Sequence, residues 1–198
     1  PNDPQHWIET TTAYDELDRV ASVTDPEGHV TEYGYDPNGN QTTVTRFDDT
    51  NPIVTTSVYD AFDRLVATVD PRGYNPSGPT MCSGNAFCTQ QRYDVAGNLV
   101  ASVLPSGDVT TYGYDDDNRL LWTVEPRGYN PTGPTVCSSS AYCTEFGYDT
   151  NGNQTLVTPP GLAPTVSTYD GAGQLTARAD ADDRMTRSTY DALGRLID

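Results

Sequence analysis

Tyr93-Asp94-Val95-Ala96-Gly97-Asn98-Leu99 decides the architecture, because the chain repeats this phrase, with variations, eight times. Its Tyr-Asp pairs open at Tyr14, Tyr35, Tyr59, Tyr93, Tyr114, Tyr148, Tyr169 and Tyr190, in steps of 21, 24, 34, 21, 34, 21 and 21 residues. A period near 21 marks a repeat array, in which each unit is one small element that cannot bury its apolar side alone. Such arrays serve as walls, rods or surfaces and seldom hold an active site.

Four residues after each tyrosine stand Asp18, Gly39, Asp63, Gly97, Asn118, Gly152, Gly173 and Gly194. Only Gly, Asn and Asp occur there, the residues that enter the left-handed region cheaply. A type I turn followed by a left-handed residue gives a tight hairpin with a G1 bulge. Asp36-Pro37-Asn38-Gly39 suits it, since proline presets φ at the first corner. Two positions further on, Val20, Gln41, Leu65, Leu99, Leu120, Gln154, Leu175 and Leu196 open a return strand.

The approach strands alternate with period two. Val30-Thr31-Glu32-Tyr33-Gly34-Tyr35 sets Thr31, Tyr33 and Tyr35 on one face, and Val109 through Tyr114 repeats the pattern. The glycine between the tyrosines bares the other face for close approach. Asp25-Pro26-Glu27-Gly28, Asp70-Pro71-Arg72-Gly73, Leu104-Pro105-Ser106-Gly107 and Glu125-Pro126-Arg127-Gly128 read as second turns; Asp180-Ala181-Asp182-Asp183 lacks both Pro and Gly. No helix is expected. The fold class is all-β: tandem hairpins of about 21 residues whose edges pair into a coiled antiparallel sheet. Residues 1–198 form a single array of eight hairpins, read as a stretch of a longer one. The thirteen tyrosines are read as structural from their phase with the repeat, against a sugar-binding aromatic platform.

Tyr-Asp-x-x-Gly-Asn/Arg-Leu, preceded by Thr-x-Tyr-Gly and followed by Asp-Pro-x-Gly, resembles the YD repeat of the Rhs family. Tyr93 to Leu99 and Tyr190 to Leu196 come close to its consensus, and the likeness runs from about Thr10 to Asp198. The family includes bacterial Rhs toxins, shell subunits of insecticidal toxin complexes, wall-associated proteins and the teneurins. The resemblance implies a spiralling sheet that closes into a hollow shell around a toxin or plug. It also implies that this chain is a stretch of such a wall. The family's self-cleaving C-terminal motif has no counterpart in this sequence.

Both 34-residue steps carry the same thirteen-residue insertion. Arg72-Gly73-Tyr74-Asn75-Pro76 leads to Cys82 and Cys88; Arg127-Gly128-Tyr129-Asn130-Pro131 leads to Cys137 and Cys143. Corresponding positions lie 55 residues apart, so a double repeat was duplicated as a unit. The insertions span about 72–88 and 127–143 and hold all four cysteines. Local disulfides Cys82–Cys88 and Cys137–Cys143 are the preferred reading. Each would stabilise by about 2.4 kcal/mol through the unfolded chain. Zinc is the sharp alternative, though the five-residue gap is wide for a ligand pair; free or cross-paired thiols are the third. Disulfides imply an oxidising compartment, hence an extracellular or cell-surface protein. Tyr74, Phe87, Tyr129 and Tyr142 either tip these loops for binding or, as preferred, pack them onto the sheet.

The chain has 28 acidic residues, 11 arginines and no lysine, for a formal net charge of −17. That field excludes nucleic acid and anionic membrane surfaces as partners, and no apolar run spans a bilayer. Calcium is the one cofactor it invites. The densest acidic runs, Asp115-Asp116-Asp117-Asn118 and Asp180 to Asp183, match neither EF-hand nor nonapeptide spacing and are read as solvated turns. His6 and His29 stand in no relation to a nucleophile. No catalytic, cofactor or metal residues are assigned, and the chain is read as no enzyme. The expected function is a shell segment that encloses or scaffolds another polypeptide, its partners being further repeats and a cargo. The alternative is an extracellular adhesion or fibre module that binds glycans or proteins through the cysteine loops.

Overall fold

A computed structural model describes residues 9–48, 51–76, 82, 87–132, 137 and 142–198. His6 lies outside the described residues, as do 77–81, 83–86, 133–136 and 138–141 of the two insertions. The elements are β1 (Thr11–Tyr14), β2 (Val20–Thr24), β3 (Val30–Tyr35), β4 (Gln41–Asp48), β5 (Asn51–Tyr59), β6 (Leu65–Val69), β7 (Cys88–Tyr93), β8 (Leu99–Val103), β9 (Val109–Tyr114), β10 (Leu120–Val124), β11 (Cys143–Tyr148), β12 (Gln154–Thr158), β13 (Thr165–Tyr169), β14 (Leu175–Ala179) and β15 (Met185–Arg187). They form one antiparallel sheet whose strand order is the chain order, β1 to β15. No helix among the described residues is long and apolar enough to cross a membrane.

By compactness the chain divides into two units. The first comprises Pro1–Gln91 with Val103–Gly107, the second Arg92–Ser102 with Asp108–Asp198. The same hairpin recurs in both. Its register slips by one residue at the tyrosine, between Gly34 and Tyr35, Val58 and Tyr59, Gly147 and Tyr148, and Thr168 and Tyr169. φ is positive at all eight positions that carry only Gly, Asn or Asp, from 57° at Asp18 to 95° at Gly97. This is the bulged hairpin: the left-handed residue absorbs the extra position and returns the next strand in phase.

Two turns differ from the sequence reading. Asp70 to Gly73 and Glu125 to Gly128 are single turns of 3-10 helix, Pro71–Gly73 and Pro126–Gly128, rather than lone β-turns. The cause is a second bond in series, from Tyr74 N to the Pro71 carbonyl and from Tyr129 N to the Pro126 carbonyl, each at 3.2 Å. Asp180 to Asp183, without Pro or Gly, still closes as the bulged hairpin does. Asp183 takes φ 60°, and Asp180 N reaches the Arg184 carbonyl at 3.0 Å.

A sheet with few covered side chains has a thin core. In the first unit Ala67, Val69 and Cys88 form a buried cluster, flanked by Val58 and Cys82. Val69 stands opposite Cys88, and in the second unit Val124 stands opposite Cys143. Val69 and Val124, 0% and 1% exposed, are the best-covered large side chains described. Completeness of burial therefore coincides with the cysteine insertions.

The glycines between paired aromatic residues, Tyr33 and Tyr35, Tyr112 and Tyr114, and Phe146 and Tyr148, are approached from within their own hairpins. Gly113 pairs with Trp122, whose indole lies where a Cβ on Gly113 would stand. Gly34 meets the Thr43 hydroxyl in the same way, and Leu156 Cβ would be 3.1 Å from a Cβ on Gly147. Gly113→Ala should therefore destabilise the chain by about 1–3 kcal/mol, as overpacking does. A urea melt followed by Trp122 fluorescence checks this; an unchanged midpoint would contradict it.

Candidate functional site: the tyrosine–aspartate turns and the cysteine braces

Each turn is organised by the aspartate that follows the tyrosine. In the second phrase Asp36 N donates to the Asn40 carbonyl at 3.0 Å and Gly39 N to the Asp36 carbonyl at 3.1 Å. Asp36 Oδ1 accepts from Asn40 N at 2.9 Å and Oδ2 from Asn40 Nδ2 at 3.0 Å. The carboxylate thus ties both ends of its own loop. Where the fifth residue is arginine, its Nε takes the place of the amide, at 2.8 Å from Arg19 to Asp15 and from Arg64 to Asp60, and 2.7 Å from Arg119 to Asp115 and from Arg195 to Asp191.

These donors hold the carboxyls below their ordinary range. Asn40, Arg64, Asn98, Asn153 and Arg195 side chains do so first at Asp36, Asp60, Asp94, Asp149 and Asp191. The Arg19 and Arg119 backbone amides do so first at Asp15 and Asp115. Hydrogen bonds to the charged form favour it.

The tyrosines join one repeat to the one before. The Tyr35 hydroxyl donates to the Val20 carbonyl at 2.9 Å, Tyr59 to Gln41 at 3.2 Å, and Tyr114 to Leu99 at 3.0 Å. Tyr148 reaches the Leu120 carbonyl, Tyr169 that of Gln154 and Tyr190 that of Leu175, each at 3.0 Å. The acceptor is always the residue that opens the preceding return strand. Burial, then the neighbouring Tyr112 and Asp94, push the Tyr114 phenol up, which keeps it a donor. Arg19 stacks on the Tyr35 ring at 4.5 Å and Arg119 on Tyr148 at 5.0 Å.

The structure joins Cys82 to Cys88 and Cys137 to Cys143, with Cα separations of 5.4 and 5.7 Å that suit a disulfide. The strand cysteines are buried, while Cys82 and Cys137 on the loops are half-buried. Beside the first brace, Asp70 N donates to the Phe87 carbonyl at 2.9 Å, and Arg72 stacks on the Phe87 ring at 4.9 Å. Beside the second, Glu125 N donates to the Tyr142 carbonyl at 2.9 Å. Phe87 therefore packs onto its own turn.

The acidic runs are turn chemistry. Asp115 Oδ1 accepts from Asp117 N at 3.0 Å and Arg119 N at 2.9 Å, and Asp180 Oδ1 accepts from Asp182 N and Arg184 N at 2.9 Å. Asp25, Glu27 and His29 gather in one turn, where His29 Nδ1 lies 2.9 Å from Asp25 Oδ2. That spacing escaped the sequence reading, as did the aspartate's role. Its signal was present: an aspartate follows every phrase tyrosine, with Arg, Asn or Gln four residues beyond it.

The profile of the RHS repeat matches residues 14–50, 93–133 and 169–197, together more than half of the chain. The chain belongs to the RHS repeat family. No curated protein matches it. Among solved structures, the crystal structure of TcdB2-TccC3 without its hypervariable C-terminal region aligns at 16% identity and TM-score 0.64. That alignment covers 95% of this chain and 10% of that one. The Tc holotoxin pore of Photorhabdus luminescens, carrying a TccC3 mutation, aligns at 13% identity and TM-score 0.48, over 95% of this chain and 11% of that one. At 16% identity the first likeness establishes the fold, and this RHS chain spans about a tenth of the length of the structures it matches.

Two outcomes are expected of the RHS turns and braces. The depressed aspartates stabilise the fold at pH values above their unfolded pKa of about 3.9, and this contribution is lost as pH falls through the lower folded values. Urea midpoints measured from pH 7 to pH 2 should fall below about pH 4, and Asp60→Asn should flatten that acid limb. A limb as steep in the variant as in the parent would contradict the assignment. Reduction with dithiothreitol should lower stability by about 2 kcal/mol per brace. A Cys82→Ser/Cys88→Ser variant should already lack its share of that loss; a melting temperature indifferent to reductant would contradict the bracing.

Proposed function

We propose that this RHS-repeat chain is a non-catalytic wall segment of a secreted or cell-surface protein, one that encloses or scaffolds another polypeptide. The observation that carries the reading is the lock from six phrase-tyrosine hydroxyls to the repeat before each. It is spent on continuity of a sheet and repeats in phase in both units. The acidic runs, weighed for calcium in the sequence, are engaged in turns, and six of the phrase-tyrosine hydroxyls are engaged in locks. The fold likeness to TcdB2-TccC3 supports the wall reading, and the two disulfides support an oxidising location. The single array of residues 1–198, interrupted by the insertions at about 72–88 and 127–143, is part of the same proposal. So are the structural roles of the phrase tyrosines and of Gly39, Gly97, Gly152, Gly173 and Gly194.

Electron cryo-microscopy of the full-length protein tests this directly. Wall reading expects these repeats to lie in a sheet with a second polypeptide, or another part of the same one, on its enclosed side. A filament or open sheet with solvent on both faces, and the cysteine loops displayed outward, would contradict it and support an adhesion module.

A further inference from the structure

The turns touch one another along the array, and the residue after the left-handed position makes its contact in two forms; beside the first, Asn38 Nδ2 also donates to Asp63 Oδ1 at 2.8 Å. Asn40 Nδ2, besides binding its own Asp36, donates to Asp63 Oδ1 of the next turn at 2.6 Å. Asn98 Nδ2 does the same with its own Asp94 at 3.0 Å and Asn118 Oδ1 at 2.7 Å. In both cases the next turn's left-handed residue has a side chain that can accept, Asp63 at φ 58° and Asn118 at φ 61°. Arginine behaves otherwise. Arg19 Nη1 reaches the backbone carbonyl of Asp36 at 3.2 Å, and Arg119 Nη1 that of Asp149 at 3.3 Å. The left-handed residues of those turns are Gly39 and Gly152, which offer no side-chain acceptor.

We propose that this edge is a recognition surface between successive hairpins. An asparagine in the fifth place selects a following turn with Asp or Asn at its left-handed position, and an arginine selects one with glycine. The reason is reach and acceptor type. A short amide meets a side-chain oxygen held out by the next turn. A guanidinium already bound to its own aspartate keeps Nη1 free to cross to a backbone carbonyl and lay its plane on the next tyrosine. The rule orders the repeats and stands whether or not the wall encloses anything.

The exception supports the rule. Asn153 is followed by Gly173, a mismatched pair, and among the described residues no hydrogen bond joins the two turns. The strands of that junction, β12 and β13, share only the pairs Leu156–Val166 and Val157–Thr165, the shortest register described. A mismatched edge thus coincides with a weakened ladder.

A double-mutant cycle on this chain tests the selection. Asn98→Arg and Asn118→Gly should each lower the melting temperature. The double variant, which restores a matched pair of the other kind, should melt about 2–4 °C above the sum of the two losses. Strictly additive losses would overturn the proposal. Should a single variant fail to fold, the mismatched junction gives an independent reading. Gly173→Asn should slow hydrogen exchange of the β12 and β13 amides several-fold when Asn153 is present, and have no such effect in an Asn153→Ala background. An equal effect in both backgrounds, or none in either, would overturn the proposal.

Discussion

The hydroxyls of Tyr35, Tyr59, Tyr114, Tyr148, Tyr169 and Tyr190, each reaching back to a main-chain carbonyl of the preceding repeat, make the contact on which the rest of the array depends. A hairpin has no core of its own and is at best marginal in water. Edge pairing joins neighbours through backbone bonds, but such a ladder can slip by a residue when neither face is deeply buried. A phenol that must meet one particular carbonyl removes that freedom. It also brings a large ring across the junction, so each lock adds apolar burial to its hydrogen bond.

This constraint explains where the chain tolerates extra residues. In regular steps the tyrosine and its acceptor are 15 residues apart, as for Tyr35 and Val20 or Tyr114 and Leu99. In the 24-residue step the separation is 18, and across the second cysteine insertion, from Tyr148 to Leu120, it is 28. The contact is nonetheless made at 3.0 Å across that insertion, close to its length in the regular steps. In the 24-residue step the added residues lengthen β4 and β5, which pair from Thr43–Thr56 out to Asp48–Asn51, and the lock closes at their base. The disulfides fit this picture. They anchor the end of each insertion to a strand cysteine that faces the best-buried valine of its unit, Val69 or Val124.

Much of this was legible in the sequence because it is backbone chemistry repeated in phase. The restriction of one position to Gly, Asn and Asp announced a positive φ eight times over, and the structure has it at each. The bare glycine between tyrosines announced a close approach, and Trp122 and Thr43 supply it. What stayed hidden involves partners far apart in the chain. Nothing in Tyr148 alone names the Leu120 carbonyl as its acceptor, since any residue at that place presents the same oxygen. The aspartate's double grip on its own turn was nearer the surface, yet Asp180 to Asp183 looked like a failed turn because it lacks Pro and Gly. An aspartate at its head and a left-handed Asp183 were enough. The 3-10 turns after Asp70 and Glu125 needed a second bond from Tyr74 and Tyr129, which a four-residue pattern does not contain.

Removing single hydroxyls tests the lock most directly. Tyr114→Phe, Tyr169→Phe and Tyr190→Phe keep the ring and delete only the donor, whereas Tyr14 is 62% exposed and serves as the control. Urea unfolding of the four variants should show each of the first three losing about 0.5–1.5 kcal/mol, the net worth of a hydrogen bond, with Tyr14→Phe unchanged. If the three locked tyrosines prove as indifferent to the loss of their hydroxyls as Tyr14, the phenol–carbonyl contact does not hold the array together and the account fails at its foundation.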